Sequence, residues 1–300
     1  MKNLLIVGGT GFIGYHLLKE AQKRKYNVSS ISLNRPQKIR YLKGVKYILA
    51  DISNYKILKK KLNTSFNFVI NAGGYGVHPE FGKEGDRLIY SHFQGLQNLL
   101  QILNLKKIKK FVQIGSSAEY GKILSPIKET AFCKPKTPYA IAKFLCTKYL
   151  MELYTEIKFP TTVFRLFQVY GPKQDDNRIV SFLIKNCLKN KKFLTTEGKQ
   201  ICDFCYIDDV VNAIFKSINN KKTNGEILNI GSGKPISIKK VINLVLKKTG
   251  KGMPKLGGLN YKKNINKNNF PNIAKAKKRL RWEPKISIDH GIIKTIKSFK

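Results

Sequence analysis

Three short stretches carry residues whose types and spacing suit chemistry. The first is FVQIGSSAEYG, residues 111 to 121. Phe111, Val112 and Ile114 read as a buried strand, and Gly115 breaks the run before Ser116 and Ser117. A hydroxyl at the carboxyl end of a strand either caps the next turn or polarises a bound carbonyl. The second is TPYAIAK, in which Tyr139 and Lys143 stand four apart in a helical pattern and share one face. A cation beside a phenol favours the phenolate, so the pair suits proton transfer, although such pairs also arise by chance on helix surfaces. The third is IVGGTGFIG, with Gly9-x-Gly11-x-x-Gly14 preceded by Gly8. It follows a strand pattern and opens a helix, the context that a phosphate-binding turn requires. Gly8 and Gly11 permit a tight turn and close approach to a pyrophosphate, and Gly14 lets helix and strand pack closely. The helix start at Phe12 and Ile13 offers free N–H groups and a positive dipole end. A glycine-rich turn without a ligand is the bland alternative, and the strand–turn–helix context weighs against it.

These residues need elements to hold them. Apolar strand patterns at 27–33, 45–50, 67–74, 109–115 and 160–167 alternate with helical patterns at 12–24, 53–62, 86–106 and 138–156. That alternation predicts an α/β fold built on a doubly wound parallel sheet. After VYGP at 169–172 the rhythm loosens. Helices are expected near 177–190, 208–219 and 237–249, strands near 193–196, 200–206 and 225–231, and a loop over 250–272. We expect a dinucleotide-binding half over 1–167 and a mainly substrate-binding half over 168–300, with the strand near 226–231 returning to the main sheet.

In a dinucleotide fold the second strand should end in an acid that bonds the adenosine ribose. ISLNRP supplies Asn34 and Arg35 instead. An arginine there pairs with a 2′-phosphate, which favours NADP(H), while Asn34 keeps NAD(H) open by bonding a ribose hydroxyl. Asp51 and Ile52, after the third strand, are candidates for the adenine, with a helix cap as the other reading of Asp51.

Net charge is +39, which raises nucleic acid or an anionic membrane as partners. Only eight of the 57 basic residues are arginine, and the lysines are spread along the chain without interleaved aromatics. A solvated lysine surface is the better reading, with no specific nucleic-acid site. No apolar run approaches the roughly 20 residues of a membrane span, and the initial LLIVGG begins a strand. Five cysteines without a regular framework suggest a reducing compartment. Cys202 and Cys205 match C-x-x-C, but they fall on a strand pattern, pointing to opposite faces, with no second pair to complete a metal site.

Taken together, the glycine loop, the serine strand end and the Tyr139–Lys143 pair resemble the extended short-chain dehydrogenase/reductases that act on nucleotide sugars. RLFQVYGP (165–172), DFCYIDDVVNAI (203–214), LNIGSG (228–233) and RWEP (281–284) are similar to that family's later blocks. The resemblance implies a Rossmann-like domain with a smaller C-terminal α/β domain, a cytoplasmic homodimer, and hydride exchange between a nicotinamide and a sugar. Tyr139 would carry the proton, Lys143 would bond the nicotinamide ribose, and Ser116, four before Tyr120-Gly121, would hold the sugar carbonyl beside Ser117. The family's 4,6-dehydratases carry carboxylates where Ser117 and Ala118 stand, and its 3,5-epimerases use cysteine in place of Ala118. Neither elimination nor 3,5-epimerisation is therefore expected, and Glu119 is one position off either pattern. The block looks most like reductases of 4-keto-6-deoxy nucleotide sugars, with a C4 epimerase holding NAD tightly as the alternative. A non-catalytic RNA-binding relative is a third reading, opposed by the intact trio. Cys202 stands where relatives often have a phosphate-binding arginine, Gln168 where they have asparagine, and His92 where N-x-x-G begins. Arg178, Lys199 and Lys262 are candidates for the missing cation, with a simple surface charge as the favoured reading of each.

Overall fold

The computed structural model describes residues 2–74, 79–261 and 266–299. Strand β1 (Asn3–Val7) is an apolar run buried almost throughout, and it leads through a glycine turn into α1 (Phe12–Lys23). The alternation continues through β2 (Asn27–Ser32), β3 (Lys46–Leu49), α2 (Tyr55–Lys61), β4 (Phe68–Asn71), α3 (Lys83–Ile102), β5 (Lys110–Ser116), α4 (Pro138–Ile157) and β6 (Thr161–Leu166). Helix α4 starts where Thr137 accepts from the Ala140 N–H and Pro138 fills the first turn, where no N–H is needed.

Among the described residues the main sheet has seven strands in the order β10-β6-β5-β4-β1-β2-β3, where β10 is Glu226–Ile230. Every neighbouring pair is parallel. Leu4 and Ile6 pack into the core with α1, while Leu5 and Val7 pack into the opposite core with Leu96, Leu99 and Leu150. Residues of one strand thus alternate between two covered faces, which is why the strands read as unbroken apolar runs. The sheet is Rossmann-like, and its order reverses between β1 and β4. Such a reversal opens a crevice beyond the carboxyl ends of the strands, the usual ligand position in this architecture.

The rest of the chain forms β7 (Gln168–Tyr170), α5 (Ile179–Leu188), β8 (Lys192–Leu194), β9 (Ile201–Tyr206), α6 (Ile207–Ile218), β11 (Pro235–Ser237), α7 (Ile238–Thr249), β12 (Met253–Lys255), β13 (Asn268–Asn269), α8 (Ala274–Leu280) and α9 (Ile288–Lys297). Strand β9 is the hub of a smaller sheet, flanked by β7, β11 and β13. The segment 250–272, expected as loop, holds β12 and β13. They are three and two residues long, too short to show a period in sequence. Lys110, at the start of β5, is 1% exposed and ties the main sheet to the α6–β10 connection. Its ammonium donates to Thr223 Oγ1 at 2.8 Å, Asn224 Oδ1 at 2.6 Å and the Asn220 carbonyl at 3.4 Å.

Candidate active site

The turn after β1 is built for close approach. Gly8 has φ of 76°, a left-handed conformation that suits glycine, and its N–H donates to the Ile31 carbonyl at 2.7 Å. A Cβ at Gly14 would lie 2.1 Å from the Gly8 carbonyl oxygen, so α1 begins flush against the turn. Tyr15 N–H reaches the Gly11 carbonyl at 2.9 Å, and the N–H groups before it, from Phe12 to Gly14, precede the first intrahelical bond. The turn borders a cavity of about 290 Å³ at the point where the strand order reverses. Gly8, Gly11, Asn34, Asp51 and Ile52 line it, as the sequence suggested. Bare glycine backbone facing a helix N-terminus, with a carboxylate and an apolar side chain further along, fits a dinucleotide.

The structure refines several sequence expectations here. Phe12 lies in the core, edge-on to His16 at 5.4 Å, so only its backbone is available to a phosphate. Neither Ile13 nor Gly14 is part of the cavity lining. Asp51 caps no helix: it accepts from the Ser53 N–H and hydroxyl at 2.9 and 2.7 Å, while Asn54 caps α2. Strand β2 ends at Ser32, which lines the cavity and accepts from the Thr10 N–H at 3.3 Å. Ser32 therefore holds the place where a ribose-binding acid would stand, and Arg35 lies exposed outside the cavity wall. The sequence reading overlooked Ser32 because the apolar Leu33 prolonged the strand pattern by one residue. It also overlooked Asn71, the last residue of β4, and Gln113, its register partner within β5, joined at 2.9 Å in the cavity wall.

Ser116 is both the last residue of β5 and the cap of a short 3-10 turn over 117–120. Its Oγ accepts from the Ala118 N–H at 3.2 Å, and its own N–H donates to Glu119 Oε1 at 2.8 Å. Helix α4 packs against this turn and carries Tyr139 and Lys143. Lys143 is buried, with Nζ donating to the Ile114 carbonyl at 3.0 Å and the Gly73 carbonyl at 3.3 Å. The same Nζ lies 5.9 Å from the centre of the Tyr139 ring. The ends of β4 and β5 thus hold the ammonium that faces the phenol. Glu119 points the other way. It is fully buried, and its second oxygen receives Arg165 Nε at 2.8 Å. Arg165 lies over the Tyr120 ring at 4.4 Å, and the Tyr120 hydroxyl donates to Asn229 Oδ1 at 2.8 Å.

The expected substrate contacts are more scattered. Ser117 Oγ accepts from Asn269 Nδ2 at 3.3 Å, so β13 lies over the serine end. Asn269 pairs in register with Cys202, where the phosphate-binding arginine was sought. Cys202 and Cys205 are both buried free thiols, and burial pushes Cys202 up to about 11. Gln168 is exposed on β7, and Arg178 is half-buried immediately before α5. The Lys199 side chain is 78% exposed and paired with Glu197 at 2.8 Å. Lys262 lies outside the described residues.

A model described as the NAD dependent epimerase/dehydratase family matches residues 4–231. The chain belongs to this family. A UDP-glucuronate 4-epimerase of Thermodesulfobacterium geofontis is 31% identical, over 97% of this chain and 94% of that protein. A UDP-N-acetyl-alpha-D-glucosaminuronate decarboxylase of Bacillus cytotoxicus is 30% identical, over 100% of this chain and 98% of its own. A solved UDP-glucose 4-epimerase of Thermotoga maritima, with UDP-glucose, superposes at a TM-score of 0.89 and 25% identity, covering 99% and 98% of the two chains. A UDP-glucuronic acid 4-epimerase of Bacillus cereus, with UDP-glucuronic acid and NAD, gives 0.87 and 26% over the same shares. This epimerase/dehydratase chain is thus similar over its whole length to enzymes of the family. Among its described residues no helix is long and apolar enough to cross a membrane.

Proposed function

We propose that the protein exchanges a hydride at C4 of a nucleotide-linked sugar, with Tyr139 carrying the proton, and performs no elimination. One observation carries this reading. Glu119, the carboxylate of the serine block, is sealed in the core against Arg165 and the Ser116 N–H. Ser117 and Ala118 offer no other carboxylate, so a sugar held at Ser116 meets a phenol and an ammonium but no acid to expel water. When bound, the nicotinamide supplies or accepts the hydride. Ser116 holds the sugar oxygen, Tyr139 gives or takes its proton, and Lys143, fixed by two carbonyls, keeps a positive charge beside the phenol. The segment 1–167 carries the cofactor, and 168–300 supplies most of the sugar nucleotide contacts.

The end of β2 favours reduction. Ser32, Asn34 and Arg35 present no acid to repel a 2′-phosphate, which suits NADPH and a 4-keto-6-deoxy nucleotide sugar. A C4 epimerase with tightly held NAD has equal support from the family: the Thermotoga and Bacillus cereus enzymes carry that activity in their names. The purified protein, mixed with NADPH and a panel of 4-keto nucleotide sugars, separates the two. Stoichiometric loss of NADPH absorbance supports the reductase. Interconversion of C4 epimers with no added cofactor replaces it with the epimerase. Release of water from a 4-hydroxy hexose would sink both.

A further inference from the structure

His92 lies on α3 and lines the cofactor cavity with 6% of its surface exposed. Its ring stands perpendicular to that of Tyr139, with centroids 6.1 Å apart and planes at 88°. A Cβ placed on Gly74 would fall 2.3 Å from His92 Cε1, so the imidazole occupies its place only because position 74 is bare. The backbone beneath it is anchored too: Cys146, on the helix that carries Tyr139, donates from Sγ to the His92 carbonyl at 3.6 Å. Burial, helped by the charge of Lys143, lowers the imidazole to about 3, so the ring is neutral at working pH. It therefore adds no charge to compete with Lys143.

We propose that His92 is a positioning residue for Tyr139, its imidazole fixing the plane of the phenol ring beside the cofactor cavity. The proposal rests on the reading of Tyr139 as the proton carrier. A perpendicular aromatic contact restrains the plane of a ring through its face and edge. A ring free to turn spends less time in the reactive pose, and small misplacements of a catalytic group are costly.

The test compares His92→Ala, His92→Asn and His92→Phe, alone and combined with Tyr139→Phe, in turnover and in NADPH affinity by fluorescence titration. We expect His92→Ala and His92→Asn to lower kcat by roughly tenfold, with KM and the NADPH dissociation constant within about threefold. His92→Phe, which keeps a ring but no nitrogens, should return kcat to within about threefold of the parent. In the Tyr139→Phe background, His92→Ala should cause no further loss, because nothing remains to be positioned. Parental kcat in both His92→Ala and His92→Asn overturns the proposal. So does a His92→Phe variant as slow as His92→Ala, which would assign the role to the ring nitrogens. A full additional loss in the double variant also overturns it. Near-normal turnover in Tyr139→Phe alone would instead show that the reading of the site has failed, and the inference with it.

Discussion

Tyr139 meets both the perpendicular ring of His92 and the ammonium of Lys143, and those neighbours distinguish it from the buried structural tyrosines nearby. Tyr120 shows the contrast: burial pushes its phenol up to about 12, and its hydroxyl serves Asn229. Tyr139→Phe should lower kcat by roughly a hundredfold or more while NADPH binds as before, measured by steady-state turnover and fluorescence titration. Glu119 behaves in the opposite way. Glu119→Ala leaves the Arg165 guanidinium buried without its partner, which should cost about 3–5 kcal/mol of stability in urea unfolding. Parental stability with lost turnover would instead mark Glu119 as a reacting acid.

The end of β2 decides which dinucleotide fits, and a single residue tests it. Ser32 stands in the cavity wall, its Oγ accepting from the Thr10 N–H at 3.3 Å. An acid there would accept from a ribose hydroxyl and repel a 2′-phosphate. Ser32→Asp should therefore move the preference from NADP(H) toward NAD(H) by at least about tenfold, one unit of charge repulsion at short range. Titration of both cofactors reads the change. An NAD(H) preference already present in the parent would remove the argument. Arg35, exposed beyond the wall, is the weaker lever, and Arg35→Ala should shift the ratio less than Ser32→Asp does.

At the scale of the molecule, Lys110 links stability to pH. Burial lowers its ammonium from 10.5 to about 7, although three acceptors surround it. Between those two values the unfolded chain binds the proton that the folded chain has lost. The folded state is therefore penalised below about 7 and gains stability as pH rises toward 10.5, by at most a few kcal/mol. Lys110→Met should flatten that rise, so that the difference between parent and variant, followed by urea unfolding, narrows with increasing pH if the variant begins the more stable. The net charge of +39 acts on the whole surface in the same sense. Thermal stability should increase as salt is raised from a few millimolar to about 0.15 M, where screening reaches ~8 Å, and a flat response would contradict self-repulsion.

The sequence by itself determined the elements and their class. Continuous apolar strands alternating with amphipathic helices admit little but a covered parallel sheet, and the glycine spacing fixes where a dinucleotide meets it. It also placed Ser116, Tyr139 and Lys143 on the right elements, because each lies within a local pattern of strand end or helix face. Short strands such as β13 escaped, since two residues cannot show a period. What tertiary structure decided was direction. Whether Glu119 faced a substrate or Arg165 depends on β6, 46 residues away in sequence. Whether Ser32 or Arg35 met the cavity depends on the last hydrogen bond of β2 and on the Thr10 N–H across the turn. The imidazole of His92, on α3, found its place only because Gly74, after β4, has no side chain to fill it. Local pattern sets what an element is, but which way its polar residues point is set by packing between distant parts of the chain.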